Sequence, residues 1–267
     1  MTNELSLGQD NRNKIFMQRR LKKKVNSEPI QLLKNKLTIP LDVYEKCNNM
    51  EIQLSQFNEI ITAFRTQDIV KKYTGLVGIR KLLSIQNNPP IQELIDTGII
   101  PELLELLDNS PCEFQYETLW CLTNIATGTS DQANIIVVKG GIPKIIALLE
   151  SNIEELKDQA TWALGNLASD STKIRDLLFK EKAFDKILTL MATTSTEQTK
   201  LIKNCTWAIA NFCRVKPTPP YEHMKKAIKI VSKAIVNLSN DSEFLTDACF
   251  ILSYMTEHYK ETINELL

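Results

Sequence analysis

The chain has 267 residues, of which 43% are hydrophobic and 24% charged, enough to bury one large core or several stacked ones. Only 8 glycines are present and helix formers such as Leu, Ala, Lys, Glu and Gln are common, which favours an all-α chain. No run of about 18 apolar residues offers a membrane span, and the N-terminus lacks the apolar core of a secretion signal.

The net charge of zero conceals an asymmetry. Residues 12–36 hold Arg12, Lys14, Arg19, Arg20, Lys22, Lys23, Lys24, Lys34 and Lys36 against Glu28 alone, a local charge of +8, so the remainder carries −8. A basic arm before an acidic body can bind that body, or each can take a different partner. Residues 1–49 read as this arm, with weak helical patterns at Ile15–Leu21 and Ile30–Leu37, punctuated by Pro29 and Pro40.

From about Glu51 the helical periodicity is sustained, and Ile60, Ile61 and Phe64 begin the first apolar face. Pro89-Pro90, Gly98 with Pro101, Gly140-Gly141 with Pro143, and Pro217 to Pro220 break one helix from the next. GIIPELLELL (98–107) and GIPKIIALL (141–149) both read as a turn followed by a helix with Pro in its first turn.

The strings WCLTN, WALGN, WAIAN and FILSY begin at 120, 162, 207 and 250, spaced by 42, 45 and 43 residues. Periods of roughly 40–47 residues mark helical solenoids of the armadillo/HEAT type. Counted from each aromatic residue, positions −2, +1, +2 and +5 are small or apolar (Thr118, Cys121, Leu122 and Ile125 in the first unit), the stripe of a packed helix. Positions −3, 0 and +4 share another face: Glu117, Trp120, Asn124; Gln159, Trp162, Asn166; Asn204, Trp207, Asn211; Asp247, Phe250, Tyr254. On the residues alone two readings stand. Each Trp fills a gap between repeats while each Asn bonds a neighbouring helix, or the face is a ladder of equivalent sites for an extended peptide.

The stretches LTNIATGTSDQ (122–132), GGIPKIIALL (140–149), DQATWALGNLASD (158–170), NCTWAIANFCRVKPTPP (204–220) and DACFILSYMTE (247–257) closely resemble the importin-α (karyopherin-α) family of armadillo-repeat nuclear import adaptors, over about residues 51–267. The resemblance implies an all-α, right-handed armadillo solenoid over 50–267, of four to five repeats with the last incomplete, behind a basic, largely flexible arm (1–49). It implies a groove for lysine/arginine-rich nuclear localisation signals, carried by Trp120, Asn124, Gly128, Gln159, Trp162, Asn166, Asp170, Asn204, Trp207, Asn211, Asp247, Phe250 and Tyr254, with Arg214 also matching. In the family pattern the Asp170 carboxylate pairs with the critical lysine and the Gly128 carbonyl helps hold it. The chemistry is coherent: indoles clamp lysine stems at roughly 0.5–2 kcal/mol each, and carboxamides donate to and accept from a peptide backbone without reading its side chains.

Two departures stand at the groove: the family's threonine beside the critical lysine is Ala133, and a groove-edge tryptophan is Phe250. The sequence stops inside what reads as a fifth repeat, as a fragment or a shortened paralogue would. In the arm, Arg19, Arg20, Lys22, Lys23 and Lys24 resemble the basic core of an importin-β-binding helix. LLKNK (32–36) stands where the family has its groove-occupying mimic, diluted by Asn35.

The expected function is therefore a non-enzymatic adaptor, shuttling between cytoplasm and nucleus, that links basic cargo signals to importin-β. A regulatory competitor with a groove but no export surface is one alternative; a general armadillo scaffold is another, disfavoured because Glu117, Asp170 and Asp247 make the groove acidic. The six cysteines show no CxxC spacing and the two histidines, expected on surface helix turns, no ligand pattern, so neither a metal nor a cofactor is expected. No Ser/His/Asp constellation or phosphate-binding Gly loop supports an enzyme. Small-molecule substrates, membranes and nucleic acid are not expected partners.

Overall fold

The computed structural model describes residues 37–259, and among them the regular structure is helical throughout. After α1 (Leu41–Asn49) and a 3-10 turn at Leu54–Gln56 come α2 (Phe57–Phe64) and α3 (Ile69–Leu83). Three three-helix units follow: α4 (Ile91–Asp96), α5 (Ile100–Asn109) and α6 (Cys112–Ile125); α7 (Ser130–Val138), α8 (Gly141–Ala147) and α9 (Glu154–Ala168); α10 (Thr172–Lys180), α11 (Ala183–Thr193) and α12 (Thr199–Arg214). A last unit holds α13 (Tyr221–Asn237) and α14 (Ser242–His258).

Local chemistry sets the boundaries. The Asp68 side chain accepts from the Val70 and Lys71 amides to open α3, and Thr129 with Gln132 forms a reciprocal capping box at α7. Ser171 and Asp241 cap α10 and α14 through their own side-chain oxygens. Between the first and second helices of each three-helix unit the chain turns through a left-handed residue: Gly98 (φ 75°), Gly140 (φ 79°) and Lys182 (φ 61°). Glycine adopts this conformation at no steric cost; Lys182 carries a Cβ there.

Each third helix packs on the next, in the order α3, α6, α9, α12, α14, so one continuous core runs the length of the stack. The apolar stripe read from the repeats lies in that core: Thr118, Cys121, Leu122, Ile125, Ala160, Ala163, Leu164, Leu167, Cys205, Ala208, Ile209 and Phe212 are all buried, and of the fourth set only Leu252 is partly exposed. Stacking buries what a single two- or three-helix unit cannot bury alone.

The folded body reaches back to Leu37, into the stretch that reads as arm. Ile39, Tyr44 and Cys47 are buried, with Tyr44 stacked on Tyr73 at 6.2 Å between ring centroids. The Thr38 amide and hydroxyl both donate to Glu113 Oε1, at 2.7 and 2.6 Å. Lys81 Nζ donates to the Asn48 and Met50 carbonyls, and burial holds its pKa below the ordinary lysine value. Arg19, Arg20, Lys22, Lys23 and Lys24 lie outside the described residues, as does the end of the chain beyond Tyr259.

The six cysteines are free; Cys47, Cys121, Cys205 and Cys213 are buried, Cys112 is half-buried and Cys249 exposed. Both histidines are half-buried rather than on open helix turns: His223 stacks on Phe179 at 4.5 Å, and His258 lies 5.8 Å from Tyr254.

Candidate functional site: the aromatic and asparagine ladder

The face at positions −3, 0 and +4 lies along the seam between successive third helices, and it is largely covered. Trp120 is 5% exposed, Trp162 6% and Trp207 1%. Asn124, Asn166 and Asn211 are buried as well, together with Gln159, Asn204 and Asp247. Amphipathic patterning fixes which residues share this face, but its cover comes from the helix alongside.

The asparagines explain part of that arrangement. Asn124 Nδ2 donates to Ser84 Oγ at 3.0 Å, Asn166 Nδ2 to the Thr123 carbonyl at 3.1 Å, and Asn211 Nδ2 to the Gly165 carbonyl at 3.1 Å. Each amide thus reaches a residue at or near the C-terminal end of the preceding third helix: the Ser84 hydroxyl, the Thr123 carbonyl, or the Gly165 carbonyl, which also accepts from the Ser169 amide. Gln159 Nε2 donates to the Tyr116 hydroxyl at 3.4 Å, and Asn204 Nδ2 to the Asp158 carboxylate. A carboxamide has two N–H bonds and a carbonyl, so one intramolecular bond leaves capacity. Asn166 Oδ1 is buried with no partner, and so is Trp207 Nε1.

The aromatic residues are brought together in pairs. Trp162 and Trp207 stack at 4.3 Å between ring centroids with 14° between planes. Gly165 permits this: a Cβ there would lie 2.5 Å from Trp207 Cζ3, so the missing side chain lets the indole sink against α9. The corresponding third residue after the tryptophan is Thr123 in α6 and Ala210 in α12. Phe250 and Tyr254 form a further pair at 4.7 Å, and the Tyr254 hydroxyl donates to the Arg214 carbonyl at 3.4 Å.

Trp120 has a partner that the apolar periodicity does not single out. The Arg80 guanidinium lies 4.6 Å from the Trp120 ring centroid, and Tyr116 meets the same indole edge-on at 5.9 Å. Arg80 Nε donates to Glu117 Oε2 at 2.7 Å, and one of its terminal nitrogens donates to Asn48 Oδ1 at 3.3 Å. Burial pulls the Arg80 pKa down, but the charge and hydrogen bonds of Glu117 more than offset it and hold it above its ordinary value. Arg80 precedes Trp120 by 40 residues, close to the repeat period, and that register is the signal by which it could be found.

The acidic character expected of this face is redistributed by these interactions. Glu117 is neutralised by Arg80. Asp158 is buried, with Lys200 Nζ at 3.4 Å. Asp170, just beyond α9, accepts from Ser130 Oγ at 3.0 Å through Oδ1, and its buried Oδ2 has no hydrogen-bond partner. The hydroxyl beside Asp170 therefore comes from Ser130. Ala133, expected to mark a lost hydroxyl there, is fully buried in α7. Gly128 lies in the turn after α6, its amide donating to the Ile125 carbonyl at 3.0 Å.

Comparison with known proteins places this architecture. Residues 87–127 and 129–169 match the armadillo/beta-catenin-like repeat. A designed armadillo repeat protein superposes with a TM-score of 0.66 at 19% identity, covering 89% of this chain and 98% of the design. Another, in complex with peptide (KR)4, gives 0.63 at 22% identity over 88% of this chain and 98% of that one. Importin subunit alpha-B of Dictyostelium discoideum is 40% identical over 219 residues, 80% of this chain and 42% of that protein. Importin subunit alpha-2 of Arabidopsis thaliana is 39% identical over 223 residues, 82% of this chain and 41% of its own length. The chain spans about two fifths of the length of these relatives, and over that span it belongs to the importin α family of armadillo-repeat proteins.

Proposed function

We propose that the chain is a non-enzymatic nuclear import adaptor whose ladder face binds an extended, lysine/arginine-rich segment of a cargo protein. The observation that carries the reading is the set of unsatisfied polar atoms beside the indoles: Asn166 Oδ1, Trp207 Nε1 and Asp170 Oδ2. A buried polar group left unpaired costs about 1–3 kcal/mol. A peptide backbone supplies both an N–H for Asn166 and a carbonyl for Trp207, and a lysine ammonium supplies the countercharge for Asp170.

Admitting the peptide requires the Trp162–Trp207 stack to part. The stack is worth about 0.5–1.5 kcal/mol, and each indole face that receives a cationic stem returns about 0.5–2 kcal/mol. Parting one stacked pair frees two indole faces, so the exchange favours binding. Trp120 is already faced by Arg80 on one side and is 5% exposed, so a stem would take its other face only as the cover over it parts. In this reading Trp120, Trp162, Trp207, Phe250 and Tyr254 hold stems, while Asn124, Gln159, Asn166, Asn204 and Asn211 hold the backbone. Asp170 and Asp247 set the preference for cations, and Gly128 offers its carbonyl.

The basic arm, through Arg19, Arg20, Lys22, Lys23 and Lys24, binds importin-β and couples cargo to it, so that the chain shuttles between cytoplasm and nucleus. The decisive experiment is fluorescence anisotropy with a labelled (KR)4 peptide on the full chain and on Trp162→Ala/Trp207→Ala. Micromolar or tighter binding that the double variant loses supports the reading. Equal affinity of the two proteins assigns the ladder to packing alone, and no binding to either removes the adaptor function. Capture of importin-β by the full chain, lost when residues 1–36 are deleted, tests the second half.

A further inference from the structure

Away from the ladder, an open groove of about 580 Å³ lies between the end of α11, the loop that follows it, the start of α12 and the second half of α13. Met191, Ile202, Ile230, Ala234 and Leu238 line it with apolar surface, Thr194, Ser195 and Thr196 with hydroxyls, and Lys229 and Lys233 with charge. Lys229 and Lys233 are four residues apart in α13 and so project from one face of the helix. Val236, on the same face, is 78% exposed.

Three other lysines on α8, α11 and α13 are paired with acids. Lys144 holds Asp108, Lys186 holds Glu150 and Lys226 holds Asp185, each an acid of the preceding repeat. Lys229 and Lys233 are exposed and have no carboxylate partner among the described residues. On the α13 wall of the groove Ile230, Ala234 and Leu238 are half-buried.

We propose that this groove is a second binding site, for an acidic peptide segment of a partner protein that carries at least one bulky apolar side chain. The apolar residue enters between Met191, Ile202 and Ile230, its carboxylate neighbours meet Lys229 and Lys233, and the hydroxyls of the 194–196 loop add hydrogen bonds. The volume falls within the range of specific pockets, roughly 300–1,000 Å³. The chemistry is opposite in sign to that proposed for the ladder, so one chain would hold a basic and an acidic ligand at once. The groove shares no residue with the ladder and stands whether or not the ladder binds cargo.

The test uses the full chain and a fluorescein-labelled twelve-residue peptide of glutamates and leucines. It is titrated alone, with excess (KR)4, and against Lys229→Glu/Lys233→Glu, Ile230→Ser and Trp162→Ala/Trp207→Ala. Thermal melts verify that each variant is folded. The expected result is binding that weakens about tenfold on charge reversal, from two partly exposed ion pairs, and that also weakens with salt and in Ile230→Ser. It persists with (KR)4 present and in the tryptophan variant. Absence of binding overturns the proposal, as does affinity unchanged in Lys229→Glu/Lys233→Glu or lost in Trp162→Ala/Trp207→Ala. Charge-dependent capture by phosphatidylserine vesicles without peptide binding would equally overturn it.

Discussion

Glu117→Ala should be among the most destabilising single substitutions on the ladder face. The Arg80 and Glu117 side chains are 10% and 3% exposed, and their closest N–O distance is 2.7 Å. Removing the carboxylate leaves a guanidinium in a site that water barely reaches, with Asn48 Oδ1 at 3.3 Å still accepting from it. Breaking one half of a buried pair costs about 3–5 kcal/mol, whereas replacing both halves by apolar side chains of similar size is often close to neutral. Arg80→Met/Glu117→Met should therefore recover most of what Glu117→Ala loses, which a double-mutant cycle reads directly. Urea unfolding followed by tryptophan fluorescence is the assay, since Arg80 sits over Trp120 and its release changes the indole environment. A cost below about 1 kcal/mol for Glu117→Ala would mean that the pair is screened like a surface ion pair, and would refute the burial argument. So would a double variant no more stable than the single one.

Other positions give independent expectations. Gly165→Ala places a Cβ 2.5 Å from Trp207 Cζ3 and 3.1 Å from the Ala208 Cβ; the overpacking costs about 1–3 kcal/mol, offset by about 1 kcal/mol of helix propensity. The Trp162–Trp207 exciton signal in circular dichroism should fall even where net stability changes little. Lys182→Gly relieves a left-handed backbone that the equivalent turns give to glycine, and should stabilise by up to about 1 kcal/mol, seen as a rise in Tm of ~2–4 °C. With a thiol reagent at mildly alkaline pH, Cys249 should react first and Cys112 more slowly. Cys205 and Cys213, whose pKa values burial pushes far above the ordinary thiol value, should react only on unfolding.

The repeat is legible in the sequence because a 3.6-residue period and a recurring Trp-x-x-x-Asn leave a clear trace, and the stripe from Thr118 to Phe212 lies in the core as its spacing implies. The cover on the opposite face is not legible. Whether a tryptophan stands open or sinks depends on the residue beneath it in the preceding helix, and a single Gly165 decides that for Trp207. Arg80 escapes the pattern because it is a charged residue in a register otherwise held by aromatic rings. The segment from Leu37 to Asn49 reads with the arm because charge dominates the residues before it and Pro40 interrupts its short apolar pattern of Ile39, Tyr44 and Cys47. Ser130 is hidden because Asp170 is 40 residues away in sequence, and only the stacking of repeats brings the hydroxyl to the carboxylate.

The two readings of the ladder left open by the residues alone need not exclude each other. The same asparagine that ties α9 to α6 through Nδ2 leaves its Oδ1 unpaired, so its structural bond also orients the free acceptor. An amide held by the neighbouring helix is preorganised, and a peptide that meets it loses less free energy to ordering than one that must first fix a mobile side chain. Sunken indoles act in the opposite direction, since a ligand must first separate Trp162 from Trp207. The balance predicts that loosening the stack without removing an indole raises affinity for a basic peptide, whereas removing both indoles abolishes it. Gly165→Ala and Trp162→Ala/Trp207→Ala should therefore move (KR)4 binding in opposite directions. If both weaken it alike, the closed stack is itself the binding surface and no opening step exists.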